Sequence, residues 1–152
     1  LKGARLGRGT ALYIVRPKKL KQLIEIVKET VDADCVVLVQ GQNTGLTGGS
    51  VPRRQGDNRP TVLVSMKDLD TIFPIDKGER VVCLAGAGLA TLQTFVQTTF
   101  PDRESHSILG STFLNPTTAA GIALGSGGTQ CRKGPAFTER ALYLKVVPDK
   151  FG

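Results

Sequence analysis

The chain has 152 residues, 40% of them hydrophobic and 22% charged, with a formal net charge of +7. This suits one globular domain with a core and excludes a disordered tail. No apolar run approaches the roughly 18 residues of a membrane-spanning helix, and the N-terminus lacks the basic-then-apolar order of a secretory leader. Aromatic residues make up 5% with no Trp, too few for a single-stranded nucleic-acid stacking platform, so nucleic acid is not an expected partner. Cys35, Cys83 and Cys131 lie far apart, and His106 is the single histidine. That pattern argues against a zinc site or disulfide framework. The chain starts at Leu1 and stops at "PDKFG", and residues 1–152 read as one domain of a longer protein.

"ALYIVRP" (11–17) predicts a short strand closed by Pro17. "KKLKQLIEIVKETVDA" (18–33) places Leu20, Leu23, Ile24, Val27 and Val31 at amphipathic-helix spacing. "CVVLVQ" (35–40) is an unbroken apolar run, as expected for a strand buried on both faces. These three predict β-α-β with parallel strands. "PTVLVSM" (60–66) and "VVCLAGAG" (81–88) are further strand candidates, the second preceded by a "DKGE" turn. "LATLQTFVQTTF" (89–100) predicts a helix with Leu89, Leu92 and Val96 on one side and Phe95 beside them. "PTTAAGIAL" (116–124) predicts a short helix of small residues, and "RALYLKVV" (140–147) a closing strand.

Two stretches are rich in Gly, Ser and Thr: "VQGQNTGLTGGSVP" (39–52) and "LGSTFLNPTTAAGIALGSGG" (109–128). Converging backbone N–H groups in such a stretch form an anion nest, and glycine leaves no Cβ in the way. Thr44, Thr47 and Ser50 offer hydroxyls and Asn43 an amide. A tight turn without a ligand is the other reading of either loop alone; two loops in one small domain favour a ligand. Neither a Walker loop nor a clear Rossmann fingerprint is present, "GAGLAT" (86–91) being only a weak match. The first loop runs on into "VPRRQGDNRP", a turn-rich stretch, so loop amides are expected to hold the anion in place of a long helix dipole.

"VQGQNTGLTGGSVP" resembles the pyrophosphate loop of FAD-linked oxidases in the vanillyl-alcohol oxidase superfamily. Together, "QNTGLTGGSVP", "LDTIFPIDKGERVV", "HSILGSTFLNPTTAAGIALGSGG" and "RKGPAFTERALYL" resemble the FAD-binding (PCMH-type) domain of the quinone-dependent, respiratory D-lactate dehydrogenase family. The resemblance implies an α+β fold: a small β-α-β subdomain plus a larger mixed or antiparallel sheet subdomain with helices. It implies FAD as cofactor, D-lactate and quinone as partners through regions beyond this chain, and no activity of the chain alone. It further implies a peripheral place on the cytoplasmic side of the inner membrane, with an anionic lipid surface as a possible contact. Gln42, Asn43, Thr44, Gly45 and Leu46 are implied to wrap the pyrophosphate, with Gly49 and Ser50 closing the loop. Gly110 and Ser111 are implied cofactor contacts from the second loop, Ala120 and Gly121 from the small-residue helix, and Gly127 and Gly128 flank the same site. No catalytic residue and no metal site is expected here: His106 reads as a loop anchor, Cys131 as a loop thiol, and Arg132 and Lys133 face phosphate or solvent. Ala120 departs from the paired glycines of many relatives and fits only at negative φ, and Gln42 replaces a small residue. The alternatives are a D-2-hydroxyglutarate or glycolate dehydrogenase domain, or a non-catalytic nucleotide- or anion-binding module. The early bases Lys2, Arg5, Arg8, Arg16, Lys18, Lys19 and Lys21 precede the first acid, Glu25, and read mainly as a solvated face.

Overall fold

A computed structural model describes residues 1–53, 58–105 and 114–126. The expected strand at 140–147, together with Gly110, Ser111, Gly127, Gly128, His106, Cys131, Arg132 and Lys133, lies outside the described residues. The elements in chain order are β1 (Tyr13–Val15), α1 (Leu20–Asp32), β2 (Val36–Gln40), β3 (Thr61–Ser65), β4 (Ile72–Ile75), β5 (Arg80–Cys83), α2 (Leu89–Thr99) and α3 (Thr118–Ala123).

The first sheet is parallel, in the order β1-β3-β2. Tyr13 and Val37 both pair with Val62, from opposite sides. The β1-α1-β2 crossover therefore spans the place that β3 fills. This corrects one expectation: β2 is not buried on both faces. Its residues are only half-buried and Val39 is 55% exposed. An unbroken apolar run marks a strand of a parallel sheet without telling the centre from the edge. The central strand is β3, where Leu63 and Val64 are fully buried. Val62, Val64 and Met66 share one side by strand alternation and form the core with Leu69, against which Leu23 and Ile26 of α1 and Val15 and Val37 of the flanking strands pack.

Helix α1 starts where expected, after the buried Pro17. The Gln22 side chain reaches back and accepts from the Lys18 and Lys19 amides at 3.0 and 3.1 Å, satisfying donors that a helix start leaves open. Its buried stripe differs from the sequence reading: Leu20 and Val31 stay exposed, whereas Ile26 meets the core and Thr30 is buried with its hydroxyl donating to Ile26 O. Lys18, Lys19 and Lys21 are exposed, as expected of a solvated face.

The second sheet is the antiparallel hairpin β4–β5, with Ile72 opposite Cys83 and Ile75 opposite Arg80. Its "DKG" connection is a single 3-10 turn in which Asp76, Lys77 and Gly78 all have positive φ. The Arg80 guanidinium meets the Asp76 carboxylate at 2.5 Å across it. A side chain on Gly78 would collide with the Phe100 ring at the end of α2. Helix α2 buries Leu89, Leu92 and Val96, the stripe its periodicity predicts. Parallel and antiparallel sheets with separate helices make the fold α+β.

Candidate cofactor-binding site

The first glycine loop leaves the C-terminal end of β2 and folds back on itself. The Gln40 side-chain amide, at the strand's last position, donates to Ser50 O at 2.7 Å and closes the loop at its base. Inside it, Asn43 adopts a left-handed conformation (φ +57°), which its short polar side chain tolerates better than most residues. Asn43 Nδ2 donates to Lys2 O at 2.9 Å, and Asn43 Oδ1 accepts from Ser50 Oγ at 2.7 Å. The Asn43 and Ser50 side chains are thus engaged within the protein, and the donors left to a ligand are chiefly main-chain. Among the described residues, none of the backbone N–H groups from Gly41 to Ser50 reaches an acceptor. No acid lies between Val39 and Arg53. Arg53 donates to Thr47 O at 2.8 Å, leaving its charge beside the loop.

The glycines of this loop fall into two kinds. Gly41 and Gly48 are required by the protein. A Cβ on Gly41 would lie 2.8 Å from Thr117 Oγ1, and Gly48 has φ +73°, where a Cβ would lie 2.4 Å from Leu6 O and 3.0 Å from Gly7 Cα. Gly45 and Gly49 have neither positive φ nor a described atom within 4 Å of a built Cβ. Gly45, Leu46 and Thr47 are exposed and Gln42 and Thr44 half-buried. A glycine-bordered edge that no described atom fills, with amides that reach no described acceptor and no acid within the loop, is the surface a phosphate group needs.

Contact with Thr117 joins this loop to the second glycine-rich region. Thr117 is 2% exposed and caps α3, accepting from the Ala120 amide at 3.3 Å. Thr118 donates to Ala87 O through both its backbone amide (2.8 Å) and its hydroxyl (3.1 Å). Gly88 forms a bridge with Thr117, and Leu89 N donates to Pro116 O at 2.9 Å. Three segments far apart in sequence thereby meet: Gly41, Ala87–Gly88 and Thr117–Thr118. Ala120 and Gly121 follow on α3, Gly121 buried and Ala120 half-buried. Ala120 is helical, with φ not among the positive values, so the departure from glycine costs nothing there. Asn115 holds the junction from the other side: its Oδ1 accepts from Ala90 N at 2.9 Å and its Nδ2 donates to Thr91 Oγ1 at 3.1 Å.

Gly41, Thr117 and Asn115 were not among the sequence candidates, although "NPTT" before a small-residue run carries a helix-start signal. The weak "GAGLAT" match has a structural explanation: a Cβ on Gly86 would strike Met66 O and one on Gly88 the Asn115 amide. Cys83 sits beside Thr118. Burial pushes its thiol pKa up, partly offset by the hydrogen bond with the Thr118 side chain, so it is poorly suited to act as a nucleophile. No group of His, Cys, Asp and Glu that could hold a metal ion exists among the described residues.

Residues 11–150 match the FAD binding domain family. This chain belongs to that family. The FAD-binding domain is 39% identical over 148 residues to the quinone-dependent D-lactate dehydrogenase of Corynebacterium glutamicum, covering 97% of the chain and 26% of that protein. It is 33% identical over 92 residues to the D-2-hydroxyglutarate dehydrogenase of Arabidopsis thaliana, covering 60% of the chain and 16% of that protein. Among solved structures, alkyldihydroxyacetonephosphate synthase superposes with a TM-score of 0.70 at 19% identity, covering 85% of the chain and 23% of that structure. This last likeness bears on the fold, and it agrees with the α+β reading. The FAD-binding domain thus spans about a quarter of the length of the D-lactate dehydrogenase it matches.

Proposed function

We propose that the loop Gly41–Ser50 holds the pyrophosphate of FAD, and that the protein to which this domain belongs oxidises D-lactate to pyruvate and passes the electrons to a quinone. The observation that carries the first part is the pair Gly45 and Gly49, glycines for which no described protein atom gives a reason, beside amides that reach no described acceptor. A dinucleotide gives that reason: its phosphate oxygens take the amides, and a side chain at either position would stand in their place. Gln42, Asn43, Thr44, Gly45, Leu46, Gly49 and Ser50 form the loop side of the site. Ala120 and Gly121 belong to the set by resemblance, Ala120 half-buried on α3 and Gly121 buried within it, as do Gly110, Ser111, Gly127 and Gly128.

The donor set is neutral and main-chain, which suits binding and orienting a cofactor more than reacting with a substrate. FAD, when bound, supplies the hydride-accepting chemistry for oxidation at C2 of a 2-hydroxy acid. This chain's residues contribute attachment and orientation: Gln40 closes the loop, Asn43 and Ser50 shape it, and Thr117 sets its distance from α3. The choice of D-lactate over D-2-hydroxyglutarate is supported by the extent of similarity, 97% of the chain against 60%. We propose further that the protein lies at the cytoplasmic face of the inner membrane, the side from which it would reach its quinone. No helix of the described residues is long and apolar enough to cross a membrane, and peripheral contact with anionic lipid fits the basic early segment.

Fluorescence titration with FAD, FMN and NADH tests the cofactor. Saturable binding of FAD alone supports the reading; equal binding of NADH, or none of FAD by the full-length protein, overturns it. Quinone reduction with D-lactate and with D-2-hydroxyglutarate as donors tests the substrate, and faster turnover of the second would replace the first.

A further inference from the structure

We infer that Asn43 and Ser50 act as positioning residues, and that the N-terminal turn Leu1–Gly9 forms a rigid outer wall which fixes the shape of the dinucleotide loop. The cofactor arm of this inference rests on the flavin reading above. The turn is closed by Gly3 N donating to Gly7 O and Gly9 N to Leu1 O, both at 3.0 Å, with Lys2 opposite Arg8. It meets the loop backbone to backbone. A Cβ built on Gly48 would lie 2.4 Å from Leu6 O, one on Gly7 3.1 Å from Gly48 Cα, and one on Gly9 2.1 Å from Pro52 O. Close approach at three places leaves the turn no room to shift independently of the loop.

One polar chain crosses this contact. Ser50 Oγ donates to Asn43 Oδ1, and Asn43 Nδ2 donates to Lys2 O. Ser50 is thereby linked through Asn43 to the N-terminal turn. The chain holds Asn43 in its left-handed conformation, which a residue without such bonds has little reason to keep. The peptide units that follow, Thr44 to Gly49, take their direction from that residue. A nest whose amides converge before the ligand arrives binds more tightly than one that must be ordered on binding. The side chains of Asn43 and Ser50 thus act on a phosphate through the backbone they hold.

The test uses Asn43→Gly, which keeps the left-handed backbone accessible but removes both bonds, Ser50→Ala, Ser50→Thr and the double variant Asn43→Gly/Ser50→Ala. In ligand-free protein, limited trypsin digestion reads release of the turn by cleavage after Lys2, Arg5 and Arg8. Cleavage after Lys77, in the β4–β5 turn, is the internal reference. We expect Asn43→Gly to speed the N-terminal cuts about fivefold, the equivalent of one ordinary hydrogen bond, with the Lys77 cut unchanged. Ser50→Thr, which keeps the hydroxyl, should behave as wild type. In FAD titrations, Asn43→Gly and Ser50→Ala should each weaken binding, and the double variant should be no weaker than Asn43→Gly alone, because the second change removes a bond already lost. Additive losses would mean that the two side chains touch the cofactor independently, and would overturn the inference. So would unchanged N-terminal cleavage, or an equal rise at Lys77. If the wild-type protein takes up no FAD, the flavin reading fails, and the digestion still decides whether the clamp exists.

Discussion

Gly45→Val separates a glycine kept for a ligand from a glycine kept for the fold. Gly45 is exposed, has no positive φ, and a Cβ there meets no described atom within 4 Å. The substitution should therefore behave as a surface change, within about 0.5 kcal/mol. For a chain of this size that moves the thermal midpoint by less than about 2 °C. The binding cost is of another order. If valine displaces the pyrophosphate from two amides, each a hydrogen bond to a charged group worth about 1.5–3 kcal/mol, the loss is about 3–6 kcal/mol. That weakens FAD binding on the order of 10²- to 10⁴-fold. Titration of flavin fluorescence and a melting curve on the same sample measure both quantities. Unchanged FAD affinity in the folded variant would refute the loop assignment, and a midpoint lowered by more than about 5 °C would refute the claim that the space is open. Gly48→Ala is the counterpart. At φ +73°, with Leu6 O 2.4 Å from the new Cβ, it should cost about 2 kcal/mol or more in folding, and a wild-type melt would contradict the description of that contact.

Three further outcomes follow from the packing. Leu63→Ala, at the fully buried centre of β3, should destabilise by about 2–5 kcal/mol in urea unfolding; a loss under about 1 kcal/mol would show that the site collapses around the void. Asn115→Ala removes the acceptor of the Ala90 amide and places alanine at φ +52°, for an expected cost of about 2 kcal/mol, with wild-type unfolding counting against its hold on the junction. The raised pKa of Cys83 means that the unfolded chain loses the thiol proton first. Its contribution is intact below the ordinary thiol value and is lost as pH climbs through the folded one. Cys83→Ala should accordingly flatten part of the alkaline decline in the urea midpoint, and an unaltered slope would show that the thiol is not desolvated.

What could be read along the chain was governed by how local each cause is. Helix α2 was legible because Leu89, Leu92 and Val96 follow one helical stripe and the protein buries that stripe. Strand β4 was not, because "IFPI" contains a proline and three of its four residues are exposed, so neither alternation nor an apolar run marks it. β2 was recognised as a strand but given too much burial, since its place beside β3 depends on residues more than twenty positions later. The same division runs through the site. Composition alone suggested a loop of amides for an anion. It could not show that Asn43 and Ser50 spend their side chains on each other and on Lys2, or that Gly41 is small because Thr117 lies against it. Those are contacts between distant segments, and no spacing rule reports them.

The order of the parallel sheet has a consequence for synthesis. β1 and β2 do not pair with each other; each hydrogen-bonds to β3, and only to β3 among the described strands. During translation, β1, α1, β2 and the whole first glycine loop leave the ribosome before Thr61–Ser65 exist to join them. The early segment then carries two strand edges and an apolar helix face with no partner, a state open to chaperone capture and to self-association. Emergence of β3 joins the described strands from both sides at once, so the central strand sets the moment at which this part of the nascent domain can first close.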